Sequence, residues 1–213
     1  MSVTVGTEAD AAPEGDDDYV ILAEDPPMAE EVQALGHEGV LIIKRWLEST
    51  THIELSYDVY DFTPFCIVPY IGGKKRFDLA GRYMSGDKAP VYVECKRYRT
   101  AGGQAAEFDQ FLRIAYSSTL SEIQYRGRDL GTRFIWVTYH PFSQKKWATL
   151  ETHENMRRAL LAEPTFLGNT QIDEERLRDM ASRVMVLVFN PKQEALSLTT
   201  EEVKQVRTIL DRS

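Results

Sequence analysis

The sequence predicts an α/β fold, a mixed sheet flanked by helices, and three observations carry that reading. Arg133 to Tyr139 (RFIWVTY) and Val184 to Phe189 are almost continuously apolar, the pattern of strands buried on both faces. Segments with apolar residues at helical spacing precede and follow them. Between Phe77 and Tyr98, two apolar segments flank Ser85, Gly86, Asp87, Lys88, Ala89 and Pro90, residues that favour a turn, so this stretch predicts a β-hairpin.

Taken in order, residues 1–27 hold Asp16, Asp17, Asp18, Pro26 and Pro27 with few large apolar groups, which predicts a disordered acidic tail ahead of a domain spanning 28–213. Pro27 to Ser49 predicts an amphipathic helix: Met28, Val32, Leu35, Val40, Ile43, Trp46 and Leu47 recur at its period, with a bend expected near Gly36 and Gly39. Thr51 to Ile71, rich in Ile, Tyr, Val and Phe, predicts one or two strands leading into the hairpin. After the hairpin, Gln104 to Leu120 predicts a helix with Ala105, Phe108, Phe111, Leu112 and Ala115 facing inward, and Arg133 to Tyr139 a central strand. The order is then αβββαβ. Helices over Glu151 to Leu161, Ile172 to Ser182 and Thr199 to Leu210, and the strand from Val184, make a C-terminal helical and strand extension; Thr199 and Glu202 have the spacing of a capping box.

The hairpin also carries the chemistry. Side chains alternate along a strand, so Val91, Val93 and Cys95 share one face, expected in a core, while Tyr92, Glu94 and Lys96 share the other, expected outside it. Asp78 falls on the preceding strand. Two carboxylates from neighbouring strands and one ammonium make an oxygen-lined pocket suited to a hard divalent cation, which keeps several waters and leaves room for a phosphate oxygen.

Asp78 followed after a turn by Glu94-Cys95-Lys96 resembles the catalytic signature of the PD-(D/E)XK, or restriction-endonuclease-like, nuclease superfamily, and Val93 to Tyr98 is most similar to its Mrr-type restriction nucleases. Phe77 stands where the signature's proline would be. The αβββαβ order is that superfamily's common core. The resemblance implies a metal-dependent DNA nuclease in restriction or antiphage defence, with Asp78 and Glu94 as ligands of Mg²⁺ or Mn²⁺ and Lys96 as the catalytic lysine. It further implies supporting roles for Glu38 on the first helix and Gln104 after the lysine; Gln110 and Tyr116 are other polar candidates on that helix. The alternative is a non-cutting relative of the same fold, a DNA-binding or assembly module of a larger complex. The presence of all three signature residues favours cutting.

Charge distribution agrees with a DNA partner. The 213-residue chain has a net charge of -8, but residues 1–30 carry nine acids and no base, whereas residues 70–150 carry fourteen Lys or Arg against seven Asp or Glu. Lys74, Lys75, Arg76, Arg97, Arg99, Arg126 and Arg128 surround the hairpin and are the expected phosphate contacts. No sequence-reading domain is evident, so a homodimer or a protein partner is expected. Two cysteines without a CxxC pair argue against a disulfide framework or a structural zinc site, and the absence of a long apolar run or a leader pattern predicts a cytoplasmic protein off the membrane. No P-loop, GxGxxG, GxSxG or HExxH spacing occurs.

Overall fold

The computed structural model describes residues 29–97 and 103–210. The expected tail, and Arg99 with its neighbours, lie outside these. The first helix, α1 (Ala29–Thr50), runs unbroken past both glycines and buries Val40, Ile43 and Leu47. Its end is closed by side-chain hydroxyls: Ser49 and Thr50 donate to the Trp46 carbonyl at 2.9 and 2.7 Å, satisfying one of the acceptors that a helix terminus leaves open. Gly39 serves close packing instead of a bend, since a Cβ there would lie 2.7 Å from Cδ of Arg97.

Next come β1 (Ile53–Asp58), a 3₁₀ turn over Thr63–Cys66, β2 (Ile67–Tyr70), β3 (Gly73–Arg76), β4 (Leu79–Tyr83) and β5 (Pro90–Lys96). The predicted hairpin is β4–β5, paired antiparallel with Leu79 opposite Val93. Three strands precede it, where one or two were expected, and only β1 joins the main sheet; β2 and β3 form a separate antiparallel ribbon turning at Gly72, whose φ of +89° favours glycine. Helix α2 (Gln104–Arg126) is longer than predicted, and Ala105 is exposed on it instead of facing inward. Then follow β6 (Arg133–Thr138), α3 (His153–Ala162), α4 (Glu174–Ser182), β7 (Val184–Val188), α5 (Pro191–Glu194) and α6 (Thr200–Ile209). Thr199 and Glu202 form the capping box that their spacing predicted.

The strand order is β1-β4-β5-β6-β7, with β6 parallel to both β5 and β7, so the sheet is mixed and helices flank it. Apart from the inserted ribbon, α1, β1, β4, β5, α2 and β6 follow the expected αβββαβ order. β6 shows why both faces are covered. Ile135 and Val137 join Val40, Ile43, Leu47, Val91 and Val93 in an aliphatic core beside α1, while Phe134 and Trp136 join Phe77, Phe108, Phe111 and Tyr116 in an aromatic core beside α2. Removing a ring such as Trp136 would cost roughly 3–5 kcal/mol. The same double covering corrects one expectation for β5: Tyr92 packs against the aromatic core, so the face it shares with Glu94 and Lys96 is interior over much of its length. Gly81 lets β1 and β4 approach, since a Cβ would lie 1.8 Å from the Glu54 carbonyl oxygen. Among the described residues no helix is long and apolar enough to cross a membrane.

Candidate active site

The strand alternation places Glu94 and Lys96 on the α2 side of β5, and the β4–β5 register brings Asp78, just before β4, alongside them. Asp78 is fastened by its backbone: its N–H donates to Val93 O at 3.0 Å and its carbonyl accepts from Val59 N at 2.9 Å. Its Oδ2 accepts a hydrogen bond from the Cys95 N–H at 2.7 Å. Burial, then the neighbouring Glu94 charge, push the Asp78 carboxyl up to about 6, against the lowering effects of the Cys95 N–H, Lys96 and Lys75.

Glu94 is 5% exposed. Its Oε1 accepts from Lys75 at 2.8 Å and pairs with Lys96 at 3.0 Å, while Oε2 is buried without a hydrogen-bond partner. Lys96 reaches Glu107 on α2 at 2.7 Å and sits 5.2 Å from the centre of the Trp136 ring. The result is a cleft of about 50 Å³ lined by Lys75, Glu94, Lys96, Glu107, Gln110 and Trp136, among others. Cys95 between the two charged residues is no nucleophile: burial drives its thiol well above the ordinary value.

The orphaned Glu94 Oε2 and the raised Asp78 carboxyl are what two hard-oxygen donors look like when their combined charge is incompletely offset. A divalent cation fits that donor set. Among the described residues no group of three or more His, Cys, Asp or Glu converges, so protein ligands to such an ion would be these two carboxylates, with water or phosphate supplying the rest.

The structure brings Asp78, Glu94 and Lys96 together. Glu38 is exposed on α1, and its Oε2 accepts from Arg97 at 2.9 Å; the Arg97 guanidinium in turn lies 5.4 Å from the Tyr139 ring centre. Gln104 is fully buried: its Oε1 accepts from Thr138 and its Nε2 donates to His140 O, at 2.7 and 3.3 Å, so it pins the start of α2 to the end of β6. Gln110 is exposed at the cleft, and Tyr116 is buried with its hydroxyl accepting from Asp173 N at 3.1 Å. Lys75 belongs to the cleft itself, whereas Lys74 and Arg76, its neighbours on β3, are exposed, as are Arg126 and Arg128. Glu107 is the cleft residue that sequence reasoning passed over; its signal was an acid in the first turn of the helix that follows Lys96.

No protein-family model and no curated protein matches the chain. Solved structures similar to it include a repair endonuclease from Pyrococcus abyssi, at 19% identity and a TM-score of 0.31 over 79% of this chain and 50% of that one. The Cap4 SAVED/CARF-domain containing receptor of Moraxella osloensis is similar at 15% identity and a TM-score of 0.34, over 83% of this chain and 41% of that one. Its Acinetobacter baumannii counterpart is similar at 14% identity and a TM-score of 0.34, over 82% and 40%. The chain spans half or less of the length of these proteins.

Proposed function

We propose that this chain is a divalent-metal-dependent deoxyribonuclease that hydrolyses phosphodiester bonds. The observation that carries the reading is the pairing of Asp78 with Glu94 beside Lys96, with one Glu94 oxygen buried and unpartnered. Asp78 and Glu94 would hold the ion, Mg²⁺ or Mn²⁺. When bound, it would supply Lewis-acid polarisation of the phosphate and a more acidic water.

The remaining work falls to the chain's own groups. Hydrolysis adds water across a P–O bond, and negative charge builds on the non-bridging oxygens as it does so. Lys96 and Lys75, both already drawn to Glu94 Oε1, bring two ammonium groups to where that charge develops and can donate hydrogen bonds to it. Glu107, at 2.7 Å from the Lys96 ammonium, holds that side chain toward the cleft and is in place to orient a water through it. DNA is supported as the substrate by the surplus of Lys and Arg over residues 70–150 and by the exposed Lys74 and Arg76 on the ribbon. Restriction or antiphage defence is the setting that the sequence resemblance implies, with a second copy or a partner protein supplying sequence recognition.

The test is cleavage of supercoiled plasmid and of single-stranded DNA with Mg²⁺ or Mn²⁺, comparing the wild type with Lys96→Ala. Cutting by the wild type that falls by roughly 10²-fold or more in the variant is the expected result. A second reading has its own support: two lysines already neutralise Glu94 Oε1, as they would in a purely structural charge cluster. That reading, a DNA-binding module that does not cut, is the one left standing if DNA binds without cleavage and Lys96→Ala changes nothing.

A further inference from the structure

The segment between β1 and β3 leaves aromatic surface in solvent next to Asp78. Tyr57 stacks on Phe65 with ring centres 4.2 Å apart and planes 11° from parallel, and Phe62 stands edge-on to Tyr57 at 5.8 Å. Phe62 and Phe65 are nevertheless 47% and 54% exposed. This ledge is a built feature. The buried Asp58 carboxylate accepts from the N–H groups of Tyr60 and Asp61 at 3.1 and 2.9 Å, and Phe62 N donates to Asp58 O at 2.9 Å. Two further backbone bonds, Val59 N to Asp78 O and Phe77 N to Cys66 O, both 2.9 Å, fasten its ends to the two residues that lead into β4, Asp78 among them. The rings therefore hold a set position relative to the carboxylates.

The β2–β3 ribbon continues the ledge. Ile67 pairs with Arg76 and Pro69 with Lys74, and all four are exposed, while the alternate residues Val68 and Lys75 turn inward. Beyond them a cavity of about 490 Å³, lined in part by Ile67, Pro69 and Lys74, also takes in Tyr125, which is 88% exposed, and Arg126. Lys74, Arg76 and Arg126 have no carboxylate partner among the described residues. Other surface cations do: Arg82 pairs with Glu54 at 3.1 Å and Arg158 with Asp109 at 2.5 Å. We read these open rings and cations, none of the cations within ion-pair distance of a described carboxylate although Glu122 also lines the cavity, as one strip whose ledge is tied to the backbone of Asp78.

Duplex DNA would use only half of such a strip. Its bases are stacked on one another, so the rings would face sugar and phosphate, and the cations alone would suffice. An unpaired strand offers a π-face at every base for a ring to stack on while its phosphates follow the cations. We propose that the strip binds unpaired DNA and feeds a single strand to the carboxylate site. The direction of feeding rests on the nuclease reading above; the binding preference stands apart from it.

The experiment is fluorescence anisotropy with the full chain in EDTA, using a labelled single-stranded 20-mer and the corresponding duplex, alongside plasmid cleavage with Mg²⁺. The wild type should bind the single strand about tenfold or more tightly than the duplex. The double variant Phe62→Ala/Phe65→Ala should lose about tenfold or more on the single strand with little change on the duplex, and Phe65→Trp should retain the preference, because its ring still stacks. Tyr125→Ala, fully on the surface, repeats the test where folding is not at stake.

Equal affinity of the wild type for both forms, or equal losses on both in the variants, overturns the strip; plasmid cleavage that still depends on Lys96 would leave the nuclease reading intact. Single-strand preference lost in the ring variants, with no cleavage of any DNA, supports the strip and retires the catalysis. A dimer that dissolves in Phe62→Ala/Phe65→Ala while DNA affinities stay fixed identifies a second copy as the occupant and overturns the proposal.

Discussion

Asp78 and Asp129 are both acids drawn partly out of water, and they titrate in opposite directions. For each, burial is the largest influence and pushes the carboxyl up. At Asp129 that push is more than reversed: Arg183 donates from Nη1 to both carboxylate oxygens at 2.8 Å, the Gly131 N–H adds a bond at 2.7 Å, and the carboxyl ends below its usual range. At Asp78 the second influence is another carboxylate, Glu94, and the Cys95 N–H with Lys96 and Lys75 does not restore the balance. One acid is a finished ion pair that closes the turn before β6 against the end of α4. The other is a charge held in place with its compensation left incomplete, which is the condition under which an added cation stabilises a site most.

The comparison breaks most visibly on activity. Asp78→Ala and Glu94→Gln should each lower DNA cleavage by roughly 10³-fold or more and remove Mn²⁺ binding in a calorimetric titration, in protein that still folds. Arg183→Ala should do the reverse. It strands Asp129, and Asp179, which also pairs with Arg183, so the loss should be about 2 kcal/mol, kept below the figure for a fully buried pair by solvent reaching these groups. For a chain of this size that corresponds to roughly 4–8 °C in a thermal melt, with cleavage per folded molecule unaffected. A variant of Arg183 that lost activity without losing stability would erase the distinction between the two acids.

How far these regions were legible in the sequence follows from the range of the forces that build them. Periodicity is local, so α1, β6, β7 and the capping box at Thr199 could be read directly, and so could the hairpin that juxtaposes Asp78 and Glu94. The β2–β3 ribbon could not, because Ile67 to Arg76 reads as one approach to the hairpin until the Gly72 turn is known. The sequence places the end of α2 at Leu120, six residues short, because residues 121–126 are mostly polar and read as part of the loop around Gly127; the helix runs on to Arg126 and closes at Gly127, whose φ is +71°. Partner choice is non-local and was the least legible. Nothing in the spacing says that Glu38 meets Arg97, that Gln104 is spent on Thr138 and His140, or that Glu107 reaches Lys96.

The smallest effect is the one that isolates the two acids most cleanly, because it is read without substrate. In the metal-free protein the Asp78 carboxyl titrates near 6 when folded and near its ordinary 3.8 when unfolded. Between those values the folded chain holds the extra proton, so stability falls as pH rises from about 4 to 6 and stays lower above that. Asp78→Asn removes the carboxylate, and at pH 8 in EDTA it should be more stable than the wild type by on the order of 1 kcal/mol, a figure discounted for the solvent that reaches Asp78. The advantage should vanish below pH 4. Asp129 carries the opposite sign: its carboxyl is lowered, so its contribution is present above the unfolded value and is lost as pH falls, and Asp129→Asn should be less stable than the wild type at pH 8 with the gap closing in acid. Urea melts of both variants across pH 3 to 8 measure the two slopes side by side. Slopes of the same sign would mean that Asp78 is as fully compensated as Asp129, and the case for a cation between Asp78 and Glu94 would lose its electrostatic basis.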